Sequence, residues 1–158
     1  MSSVQTRNIK PPKYLFYSID GDIYISKLKE IKEVVNDLEL GEVPLQNSSS
    51  LGMSSLRGEI ISVLSLGKLI GTTMQSSVDI SNSNLNQYIL NNTSVTLIIE
   101  HKDLKYGLAI DSINQVGYLE STKFKESNEQ PMISGHYCID NRIATVINLA
   151  SLLEYHCP

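Results

Sequence analysis

The sequence predicts an all-β protein of duplicated design, and two observations carry that prediction. A β-branched run that passes through a polar capping residue into a short Leu-containing segment occurs at residues 60–70 and again at residues 143–153, 83 positions later (Ile60 against Ile143). Each copy is preceded by a pair of strand-like runs joined by a tight turn, followed by a further extended run. Self-similarity at a fixed spacing marks a repeated structural unit.

In the first copy, residues 14–19 (YLFYSI) lead into Asp20-Gly21, and β-prone residues resume at Asp22. Asp-Gly between two such runs is a strong hairpin signal, because Gly accepts positive φ and Asp nearly does. Next, Leu28, Ile31, Val34 and Val35 fall at helical spacing. The corresponding run of the second copy, residues 110–116, is β-branched and ends at Gly117. The repeat therefore favours a strand, or a strand with a turn at residues 27–29. Pro44 holds Val43 extended before a polar loop at residues 46–50. Strand 60–64 then reaches Ser65, a good N-cap for one or two helical turns.

Residues 72–93 are dense in Ser, Asn, Gln and Thr and read as a long connection, anchored by Leu85, Tyr88, Ile89 and Leu90. In the second copy, residues 95–100 turn near His101-Lys102-Asp103 and return at residues 106–110. A polar segment at 121–130 precedes Pro131, and Asn148 caps a second short helix as Ser65 caps the first. The expected organisation is one domain over residues 13–155. Its first unit is 14–71 and its second 94–155, exchange of strands between them is left open, and residues 1–12 are a flexible terminus.

Composition narrows the function. With 41% hydrophobic and 19% charged residues, the chain reads as an ordinary globular protein. Its apolar runs are strand length, and the polar start has no secretory signal pattern, so a cytoplasmic protein without membrane insertion is expected. A net charge of −4 disfavours nucleic acid as partner. Cys138 and Cys157 cannot form a disulfide framework, and Asn91-Asn92-Thr93 reads as a chance glycosylation match.

No catalytic set is present. There is no Gly-x-Ser-x-Gly elbow, phosphate loop or dinucleotide fingerprint. His136 and Cys138, two apart, and the adjacent His156 and Cys157 are looser than the pairs that build tetrahedral zinc sites. His101 is expected in a solvent-exposed turn. Asp111 reads as a strand-end carboxylate bonded to nearby backbone amides. No cofactor or metal is expected.

Residues 50–58 (SLGMSSLRG), the strand and helix of residues 60–71, the strand 106–111 (YGLAID) and residues 141–153 resemble the CheW-like chemotaxis coupling proteins, in the same order. The resemblance covers nearly the whole chain. It implies two packed five-stranded Src-homology-3-like β-barrels and no catalysis. It also implies an adaptor that joins the regulatory domain of a CheA-type histidine kinase to the cytoplasmic tip of methyl-accepting receptors, at membrane-associated arrays. On it, Arg57 matches the family's Leu-Arg-Gly arginine. Ile31 and Glu33 match the early strand of a receptor groove between the barrels, and Val95, Gly107 and Val116 match positions where coupling is affected.

The chain departs from the family at Ser62, Ser65 and Gly67, where members commonly carry Pro, Asp and Arg, and at Ser55, where they carry Asn. It also runs only a few residues past Leu153. These departures keep open a divergent β-barrel binding module, either a pilus-motility adaptor or a ligand or metal sensor. Each residue has a plainer role as well: Arg57 and Glu33 as solvated charges, and Ile31, Val34, Val95 and Val116 as core. Gly52 and Gly58 read as backbone requirements, and Ser65 and Asn148 as caps.

Overall fold

The computed structural model describes residues 10–41, 49–74 and 95–157. Eleven strands and two helices lie within them: β1 (Tyr14–Ile19), β2 (Asp22–Lys27), β3 (Glu33–Asn36), β4 (Ser50–Leu56), β5 (Glu59–Ser65), α1 (Leu66–Met74), β6 (Val95–His101), β7 (Leu104–Ile110), β8 (Ser112–Gly117), β9 (Phe124–Glu126), β10 (Ile133–Ile139), β11 (Arg142–Ile147) and α2 (Leu149–His156). The protein is all-β with two short helices. Most of the connection 72–93, most of the loop 46–50 and the terminal residues 1–9 lie outside the described residues.

The strands form two sheets, ordered β8-β1-β2-β11-β10-β9 and β3-β6-β7-β5-β4. Replacing each first-half strand of the second order by its second-half equivalent, and the reverse, gives β8-β1-β2-β11-β10. That is the first sheet without β9. The duplication read from sequence is therefore architectural, with the halves exchanged: hairpin β1–β2 joins β11 of the other half through a parallel ladder, and hairpin β6–β7 joins β5 in the same way. The extra strand β9 pairs Lys125 with His136, at the place where, 83 residues earlier, Gly41 bridges to Met53.

Turn chemistry fixes both hairpins. Asp20 and Gly21 adopt positive φ at the β1–β2 turn, and Lys102 and Asp103 do so at the β6–β7 turn. The ambiguous run after β2 resolves as a 3-10 turn at Leu28–Glu30 followed by β3, so its helical spacing reflects a turn and a short strand. The polar segment before Pro131 holds a 3-10 turn at Ser121–Lys123 and then β9. Phe124 of β9 covers Gly135, where a Cβ would lie 2.6 Å from the ring.

Three apolar clusters follow from strands buried on both faces. Phe16, Ile25, Tyr137, Ala144 and Val146 form one cluster on the six-stranded sheet, where Phe16 and Tyr137 meet edge to face at 6.1 Å. Ile61, Val63, Ile98 and Ala109 fill the five-stranded sheet, covered by Val35, Leu38 and Leu40. Between the sheets lies the largest cluster, with Leu15 and Tyr17 of β1, Leu97 and Leu108, and Leu66, Leu69, Leu149 and Leu152 of the helices. The Tyr17 hydroxyl crosses this core to Ser26 Oγ (2.8 Å), which donates to the Ile147 carbonyl (3.0 Å). Burial pushes the Tyr17 phenol far above its usual range, so it stays protonated.

Candidate partner-binding site

Three contacts link the two edges of the five-stranded sheet. From β3 the chain runs through Leu38 and Leu40 to Gly41, whose N–H donates to the Met53 carbonyl of β4 (2.8 Å). Ser54 Oγ donates to the Glu39 carbonyl (2.8 Å). The third link is ionic. Arg57, in the β4–β5 turn, reaches Glu33 on β3 with both guanidinium nitrogens, Nη2 at 2.7 Å from Oε2. Two residues singled out separately in the sequence are thus one bidentate pair, a geometry the planar guanidinium favours.

The turn explains why these residue types stand there. Leu56 ends β4, Arg57 adopts φ 51° and Gly58 φ 82°, and Glu59 opens β5. Two successive left-handed residues are the requirement of a tight hairpin, which Gly meets without strain. The Arg57 side chain is 70% exposed and that of Glu33 29%. The guanidinium holds the Glu33 carboxyl below its ordinary range, and the carboxylate raises Arg57 in turn. The pair closes the sheet and leaves a cation at the surface.

The other candidate residues separate by burial. Ile31 and Val95 are half-buried at the rim of the core between the sheets. Asn36 of β3 stands opposite Val95, and Glu33, at the other end of the same ladder, stands opposite Ile98. Val116 stands opposite Leu15 of that core but is 51% exposed, on edge strand β8. Val34, expected in the core, is 38% exposed. Gly107 is buried: a Cβ there would lie 2.8 Å from Thr96 Cγ2 and 3.2 Å from Val63 Cγ2, so this position serves close strand packing.

Gly52 also answers a backbone need, with φ 141° and room for a Cβ only 2.6 Å from the Gly41 carbonyl oxygen. Both caps form. Asn148 Oδ1 accepts from Ser151 N–H at 3.0 Å, and Ser65 Oγ accepts from Lys68 N–H at 3.3 Å. Glu30 adds a third acceptor, taking the Ala150 N–H at 3.1 Å and tying the turn before Ile31 to α2.

Two expectations need correction. The His101 side chain is only 12% exposed, because α2 packs beside the β6–β7 turn and brings Glu154 Oε2 to 3.1 Å from Nε2. Asp111 does bond a backbone amide, but that of Asp20 in the distant β1–β2 turn (2.7 Å). Exposed Ile60, Leu104 and Ile143 were not singled out from sequence. The outward phase of Ile60 is legible, since it alternates with buried Ile61 and Val63.

Among the described residues no three His, Cys, Asp or Glu side chains converge as metal ligands, and no helix is long and apolar enough to cross a membrane. Comparison with known proteins completes the picture. No curated protein matches the chain. Among solved structures, the scaffolding protein TtCheW from Thermoanaerobacter tengcongensis superposes with a TM-score of 0.70 at 20% identity, over 96% of this chain and 94% of that one. That likeness concerns the fold. The family model of the CheW-like domain matches residues 13–156. The chain belongs to the CheW-like domain family, whose members are non-catalytic chemotaxis scaffolds.

Proposed function

We propose that this chain couples methyl-accepting chemoreceptors to a CheA-type histidine kinase, at receptor arrays on the membrane. The observation that carries the reading is Arg57. The arginine of the Leu-Arg-Gly motif is neither buried nor loose: Glu33 fixes it at the closure of the five-stranded sheet, with most of its side chain facing outward. Ile31 and Val95, each half-buried against the core between the sheets, offer apolar surface of the kind against which a helical partner lays its apolar stripe. The kinase regulatory domain and the receptor tip would bind different faces, with modest individual affinities summed over many repeated contacts.

Affinity capture of the tagged chain from its own cells tests this. A CheA-type kinase and receptor fragments are expected with the natural sequence. Both should be reduced with Arg57→Ala, at an unchanged circular dichroism spectrum. Recovery of neither from folded, abundant protein would contradict the coupling role.

A sensor reading has one observation in its favour. A cavity of about 360 Å³ lies where Tyr14, Lys27, Glu30, Phe124 and Glu126 converge near the start of α2. A metabolite that bound there would raise Tm by mass action. A thermal-shift screen with no hit, alongside captured kinase, would leave coupling as the sole role.

A further inference from the structure

The cavity of about 360 Å³ at the six-stranded sheet has a lining that the fold itself does not demand. The repeat shows this. Its parallel ladders set Tyr24 beside Thr145 in one sheet and Tyr106 beside Ser62 in the other. Counting three residues on along each strand, Lys27 corresponds to Ala109. Tyr14 stands opposite Lys27, as Thr96 stands opposite Ala109. In the five-stranded sheet Thr96 and Ala109 are 1% and 8% exposed, and Ala109 joins its apolar cluster. Across the repeat Val146 is matched by Val63, so the apolar backing is kept, whereas Ser134 is matched by Leu51. Small and apolar residues in one sheet thus give way, in the other, to a lysine, a tyrosine and a serine around a cavity.

The volume lies in the lower part of the range of small-molecule sites, which suits a metabolite. Val146 and Ile147 supply buried apolar lining, and half-buried Leu119 and Phe124 add to it. Three charged side chains also line the space: Lys27, Glu30 and Glu126. Glu30 is committed, since its Oε2 accepts from Ala150 N–H at 3.1 Å. Among the described residues the Lys27 ammonium and the Glu126 carboxylate have no ion-pair or side-chain hydrogen-bond partner, and they do not pair with each other. Burial, and then the Glu30 carboxylate, push the Tyr14 phenol up, so it stays protonated and can donate.

We infer that this cavity binds a zwitterionic α-amino acid with an apolar side chain. Lys27 takes its carboxylate, Glu126 takes its ammonium, and Phe124, Leu119 and Val146 receive the side chain. One ligand then satisfies both unpaired charges by charge-assisted hydrogen bonds, the stronger kind. This ligand class rests on the sensor reading of the cavity and is independent of the coupling role.

NMR titration of the full chain with L-leucine and L-phenylalanine tests it, following the amides of the lining residues. Isocaproate and isoamylamine, which are leucine without its ammonium and without its carboxylate, serve as comparisons. At least one of the amino acids should bind at up to millimolar concentration, and each analogue at least about tenfold more weakly than leucine. Lys27→Met should weaken leucine by a similar factor and leave isoamylamine unchanged. Glu126→Gln should weaken leucine and leave isocaproate unchanged, both variants keeping the circular dichroism spectrum of the natural sequence. Binding by neither amino acid, or binding indifferent to both substitutions, would overturn the proposal. Were both amino acids silent while another metabolite raised Tm in the thermal-shift screen, the ligand class would be wrong and the sensor reading would stand. Silence in both experiments would remove both.

Discussion

Arg57 and Glu33 show how little a residue's role depends on its own neighbourhood in sequence. They lie 24 positions apart and meet where the two edges of the five-stranded sheet are linked. The pair's pH behaviour follows from the lowered carboxyl of Glu33: its contribution is complete above the ordinary carboxylate range and is lost as pH falls through the lowered folded-state value. Carbon-13 NMR titration of the Glu33 carboxyl should give a midpoint below that of a free Glu, and Arg57→Ala should return it upward. Gly107→Ala tests the packing role of a buried glycine. Its Cβ would crowd Thr96 and Val63, so a loss of about 1–3 kcal/mol in denaturant unfolding is expected. A neutral result would mean the strands shift freely there.

Elements divide by whether their cause is local. The β1–β2 hairpin, the β6–β7 hairpin and both caps were legible, because Asp-Gly, Ser65 and Asn148 act within a few residues of themselves. Strand β9 was not legible. It forms because Phe124 packs over Gly135 and Lys125 pairs with His136, partners ten or more residues away in a polar segment that reads as loop. Burial of His101 was hidden for the same reason, since Glu154 arrives on α2. Helix α2 gives the element-scale prediction: Asn148→Ala removes the acceptor for Ser151 N–H and should cost about 1 kcal/mol by thermal unfolding. Glu30→Gln should cost less, because the amide oxygen still accepts from Ala150.

Across the whole molecule, duplication was readable as a spacing of 83, yet the pairing of halves was not. Among the described residues both parallel ladders join a strand of one half to a strand of the other. The exchange makes the two sheets interdependent, with Leu66, Leu69, Leu149 and Leu152 filling the space between them. Such a body holds Arg57, Ile31 and Val95 in fixed relation, as the proposed adaptor role requires. The candidate site was legible only through the family resemblance. Periodicity assigns Ile31, Val95 and Val116 to a core, and burial alone distinguishes the rim residues Ile31 and Val95 from exposed Val116.

Coupling is the central claim, and kinase activity measured in a reconstituted mixture tests it most directly. Receptor-containing membranes and the CheA-type kinase from the same cells would be assayed for autophosphorylation with and without this chain. Receptor control of the kinase should appear only when the chain is present, and Arg57→Ala, folded and at equal concentration, should restore much less of it. Receptor control that is equally strong without the chain, or none at any concentration of it, would contradict the coupling role.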